Sequence, residues 1–150
     1  MKQVPTLEEA TDDFFELHWN ASRISDLRPR WKTWNLQGVP PEAGMGGCYA
    51  IYGGDRLLYI GVAVTEGKNA TKTGKKYGLL NRLERHVIRK SERGSTQYVP
   101  IDWKEQWQNI TCIRLIGFPD QHRYLAAALE AYLINRFSTT VNAQSRWREV

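Results

Sequence analysis

A single carboxylate, Glu130, stands between Asp120 and Glu149, and the residues around it on a helical reading, Ala126, Ala127, Leu133 and Ile134, are apolar. A charge in such surroundings is costly unless something compensates it. A hard Mg²⁺ (or Mn²⁺) ion bound through one protein carboxylate, substrate oxygen and water would do so. An arginine partner or a place at the solvent edge would do so too. Arg82 and His86 are four residues apart, so on a helix they share a face. A rigid guanidinium fork then stands beside an imidazole that titrates near neutrality. Tyr49 and Tyr59 lie on either side of the turn Gly53-Gly54-Asp55, and antiparallel pairing can bring them together on one face of a hairpin. Phenols so placed either pack a core or position water and phosphate. With an unperturbed pKa near 10, a phenol serves as a base only where cations favour its phenolate.

These side chains need elements to position them. Thr6 followed by Glu9 is a capping box, and Leu7, Ala10, Phe14, Leu17 and Ala21 recur at helical spacing, which predicts an amphipathic helix over 7–21 with an acidic outer face. Residues 26–46 lose all periodicity and collect three prolines and three glycines, the mark of an irregular connection. Arg28, Arg30, Trp31, Lys32 and Trp34 lie in it. Such a mixture can hold a phosphate backbone and stack on bases, or its tryptophans can pin the connection to the core. CYAIY and RLLYIGVAV form the hairpin. A basic loop over 65–78 carries Lys72, Lys75 and Lys76. From Gly78 the apolar residues Leu79, Leu80, Leu83, Val87 and Ile88 make a helical stripe with Arg82, Arg85, Arg89, Lys90 and Arg93 outside it. Residues 94–108 give weak signals, with a short helix through WKEQW as the best reading. ITCIRLIGF, residues 110–118, reads as a third strand, and Pro119-Asp120 open a helix over about 121–137. The order implies an α+β domain around a small sheet.

Composition bounds the partners. A chain of 150 residues is most economically one domain. Residues 1–16 carry a net charge of −4 and the remainder +9, so the body is cationic and a polyanion is the favoured partner. The apolar runs fall short of the roughly 20 residues of a membrane span, and MKQVPTLEEATDD has no signal-like apolar core, so a soluble cytoplasmic protein is expected, with no membrane partner. Cys48 and Cys112 sit in apolar runs without zinc-type spacing and read as buried free thiols.

Gly47-Cys48-Tyr49, then Tyr59-Ile60-Gly61, Arg82 and His86, Glu130 and finally Asn142 follow one another in an order that resembles the GIY-YIG nuclease family. The resemblance covers residues 46–143, with 1–45 as an N-terminal extension packed on the same domain and 46–150 as the nuclease domain. It departs at Cys48, where the signature has isoleucine, and in the lysine-rich insertion before Arg82. It implies a three-stranded antiparallel sheet flanked by helices and hydrolysis of DNA phosphodiesters with one divalent ion. Glu130 would hold that ion, Arg82 would support the scissile phosphate, and Tyr49 with His86 would activate water. Tyr59 and Asn142 would support the geometry. Arg30, Lys72, Lys75, Lys76, Arg85 and Arg89 are candidate phosphate contacts, and a homodimer would serve to cut both strands. A restriction-type or phage-encoded enzyme comes first among the roles, then a DNA-degrading toxin or a repair nuclease. A catalytically silent scaffold that binds DNA or protein is the alternative from another class.

Overall fold

The first helix forms where its capping box predicts. The Thr6 hydroxyl accepts from the Glu9 N–H, and the Glu9 carboxylate accepts from the Thr6 N–H at 3.3 Å. In the computed structural model, which describes residues 5–64 and 78–139, this helix, α1, spans Leu7–His18. It stops three residues short of expectation because Trp19 turns to extended backbone and closes the last turn on the Phe15 carbonyl.

The chain then contributes β1 (Lys32–Trp34), β2 (Gly46–Gly53), β3 (Arg56–Ala63), α2 (Leu79–His86), β4 (Ile88–Lys90), β5 (Tyr98–Pro100), β6 (Cys112–Phe118) and α3 (Tyr124–Arg136), with single 3-10 turns at Glu105–Trp107 and Asp120–His122. The architecture is α+β. The main sheet is antiparallel in the order β1-β6-β2-β3, and β4 and β5 make a separate two-stranded ribbon.

Three expectations are corrected. The sheet has four strands, not three, because Lys32–Trp34 in the supposed irregular connection pairs with Ile113–Leu115 of β6. Three residues are too few to show a period. The second helix ends at His86, where β-branched Val87 and Ile88 favour extended backbone, and Ile88–Lys90 becomes a strand. The segment WKEQW yields only one 3-10 turn. The basic loop over 65–77 lies outside the described residues.

The sheet separates two apolar cores. On one face Tyr49, Ile51, Ile113 and Leu115 pack with Leu79 and Leu83 of α2, with Ile88 and Tyr98 of the ribbon, and with Trp107. On the other, Cys48, Ala50, Ile60, Ile116 and Phe118 pack with Phe14 and Phe15 of α1 and Leu125, Ala126, Leu129 and Leu133 of α3. This division follows from strand alternation, which sends Cys48 and Tyr49 to opposite faces. Cys48 is buried, with its thiol donating to the Ala126 carbonyl at 3.0 Å, whereas Cys112, expected to be buried, is only partly so. No helix among the described residues is long and apolar enough to cross a membrane.

Candidate functional site

The site is built on the β2–β3 hairpin. Tyr49 pairs with Gly61 and Ile51 with Tyr59, which places the two tyrosines diagonally on one face, with ring centroids 6.0 Å apart. Both glycines of the motif have a steric reason. A Cβ on Gly61 would overlap the phenol end of Tyr49 and reach 2.7 Å from its Cε2, so the ring lies across the backbone of β3, the edge strand. A Cβ on Gly47 would collide with the backbone of Ile116 on β6, 2.9 Å from its carbonyl carbon.

The second component comes from α2, which starts at Gly78 with a positive φ of 130° where the chain passes close to Gly44. Leu79 and Leu83 bury its inner face, and Arg82 projects from an exposed position beside the hairpin. The Arg82 guanidinium lies within hydrogen-bonding reach of the Tyr49 phenol oxygen. Burial pushes the Tyr49 phenol far up from its ordinary value, Tyr59 adds to this, and Arg82 opposes it. Burial wins over the guanidinium, so in this chain Tyr49 is a neutral hydroxyl. It can hold a hydrogen bond, but these groups do not create the phenolate that base chemistry at Tyr49 would need.

His86 ends α2, and two donors fix its carbonyl: Lys104 Nζ at 3.1 Å and Trp107 Nε1 at 3.0 Å. Trp107 also sets its indole edge against Tyr59, with centroids 5.4 Å apart. Burial, then Arg82, Lys104 and Arg85 in turn, lowers the His86 pKa below the ordinary histidine value. At neutral pH its imidazole is therefore uncharged and able to accept a proton.

Glu130 arrives from α3, on the other side of the sheet. It is half-buried; burial raises its carboxyl pKa and Arg82 partly offsets the rise. Its charge also bears on Tyr49 and Cys48. Tyr49, Tyr59, Arg82, His86 and Glu130 thus belong to one electrostatic neighbourhood, drawn from both faces at the β3 edge. Among the described residues no group of three or more His, Cys, Asp or Glu side chains could enclose a metal. Glu130 alone would have to anchor one, a donor set suited to Mg²⁺, which keeps most of its waters, and not to zinc.

The remaining candidates divide. Arg85 is exposed, and its charge acts on His86. The Arg89 guanidinium is engaged within the protein, donating to Asp102 at 3.1 Å and to the carbonyls of Lys90 and Ser91. Arg30 is exposed but precedes β1, at the opposite edge of the sheet, about 14 Å from β3 by strand spacing. Asn142, Lys72, Lys75 and Lys76 lie outside the described residues. In the basic and aromatic connection, Trp34 is buried with its Nε1 donating to Gln37 O, and Trp31 donates to the Thr11 hydroxyl at 2.8 Å. Arg28 pairs with Glu16 and Lys32 with Glu42. The tryptophans pin this segment to the core.

Lys104 and Trp107, which support His86, were not found from sequence. Segment 94–108 carries neither periodicity nor motif that would mark them. No protein-family model, curated protein or solved structure matches the chain.

Proposed function

We propose that the protein is a divalent-metal-dependent endonuclease of the GIY-YIG type that hydrolyses DNA phosphodiester bonds, in a restriction or phage setting. The observation that carries this reading is the approach of Arg82 to Tyr49 with Glu130 in electrostatic reach of both, at an open sheet edge. Phosphodiester hydrolysis requires a positioned water, removal of its proton and stabilisation of charge on the phosphate. Arg82 supplies a fork for the phosphate oxygens. His86, held neutral, accepts the proton of the attacking water. Tyr49 and Tyr59 orient that water or the phosphate through their hydroxyls. An Mg²⁺ on Glu130 would add a Lewis acid at the leaving oxygen. The half-buried carboxylate, only partly offset by Arg82, fits a cation there.

Plasmid incubated with Mg²⁺ tests the reading. Wild-type protein is expected to nick or linearise it, and Glu130→Gln to cut at least about 10²-fold more slowly while still binding DNA. Cleavage undiminished in Glu130→Gln would remove Glu130 as the metal ligand. Wild-type protein that binds without cutting would favour the silent scaffold. Recurrent cut ends would mark a restriction role, scattered ends a degradative one, and preference for branched DNA a repair one.

A further inference from the structure

Five of the six tryptophans lie within the described residues, and of these Trp103 alone is exposed, at 74%. The turn that carries it is nevertheless tied at both ends. Ile101 is buried and its N–H donates to Val87 O at 2.9 Å. Asp102 is held by Arg89 at 3.1 Å, and Lys104 reaches His86 O. Gln108 Nε2 ties the two ends of the turn, donating to Ile101 O at 2.8 Å and to Lys104 O at 2.9 Å. An indole therefore projects into solvent from a clamped turn whose next residue bonds the carbonyl of the candidate proton acceptor. Arg82, Arg85 and Lys104 all place positive charge on that same His86.

We propose that Trp103 is a stacking platform for an unpaired nucleobase next to the scissile phosphate. An indole offers any base a flat face, and a fixed turn limits the ordering entropy lost on contact. The surrounding cations hold the sugar-phosphate chain that brings the base there. The connection that the sequence offered for base stacking has its indoles used in the core, which leaves Trp103 as the one exposed indole among the described residues. The inference rests on the nuclease reading and deepens it, since an enzyme with such a platform prefers single-stranded or locally unpaired DNA.

Binding is read in EDTA, so that no cutting intervenes, with the full chain and labelled oligothymidylate, a duplex containing one unpaired thymidine, and a fully paired duplex. Trp103→Ala is expected to weaken binding to oligothymidylate about tenfold and leave the paired duplex unchanged, with Trp103→Phe recovering most of the loss. Weakened binding to the duplex with one unpaired thymidine as well would mean that the base is captured from duplex; an effect confined to oligothymidylate would mean that single strands are the source. Equal affinity of Trp103→Ala and wild type for both unpaired substrates overturns the proposal, as an indole that docks a protein would give. So does an equal loss on all three substrates. Wild-type protein that binds no DNA overturns the nuclease reading too, whereas Mg²⁺-dependent, Glu130-dependent cleavage with an unaffected Trp103→Ala defeats this inference alone.

Discussion

At the scale of single residues, the site sets its protonation states against one another. His86 is kept uncharged by partial burial and by three neighbouring cations, whereas Glu130 is pushed towards its protonated form. The acid limb of the cleavage rate is therefore expected below the ordinary histidine value of about 6.5. Lys104→Met removes one of the cations and should move that limb upward in pH, while Trp107 still holds the His86 carbonyl; a pH–rate profile of the two proteins decides it. Glu130 has a second readout. Because its folded-state pKa is raised, its carboxylate lowers stability increasingly as pH rises above the ordinary glutamate value of about 4.3. Glu130→Gln should therefore melt above wild type at pH 8 and show no such gain at pH 4, in scans without metal. Added Mg²⁺ should raise the wild-type Tm and not that of the variant.

At the scale of elements, a missing side chain does as much as those present. Tyr49 crosses the edge strand only because position 61 is a glycine. Gly61→Ala should destabilise by about 1–3 kcal/mol, as overpacking does, and abolish cleavage. In a Tyr49→Ala background the same change should cost much less, so denaturant titration of the four proteins in the cycle should show strong coupling. α1 was legible from its capping box and apolar spacing, the hairpin and β6 from runs of β-branched and aromatic residues bounded by turns, and α3 from the Pro119-Asp120 start of its apolar stretch. β1 and the β4–β5 ribbon were not, since strands of three residues exist only through their partners. In the site, residue types and order pointed to Tyr49, Tyr59, Arg82, His86 and Glu130. The clamp on His86 from Lys104 and Trp107 depends on tertiary approach across 18 and 21 residues, which no local pattern encodes.

At the scale of the whole molecule, the acidic first helix is fastened to the cationic body. Arg114 of β6 donates to Glu8, and this bond holds the Glu8 carboxyl below its ordinary pKa. The linkage sign is that of a depressed acid: stability is present above the ordinary value of about 4.3 and is lost as pH falls through the lower folded-state pKa. Glu8→Gln should thus cost less than about 1 kcal/mol at pH 7, because Glu8 is half-exposed, and nothing at pH 2.5. Urea melts at the two pH values measure the difference. Behind that contact, Phe14, Phe15 and Trp19 cover Phe118 and its neighbours on the rear of the sheet. A chain cut back to Gly46 would keep the tyrosines, Arg82, His86 and Glu130, yet it would lose an aromatic lining from one core and one edge strand from the sheet. Anyone transplanting this hairpin into a chimera should carry the leading helix as part of the cartridge.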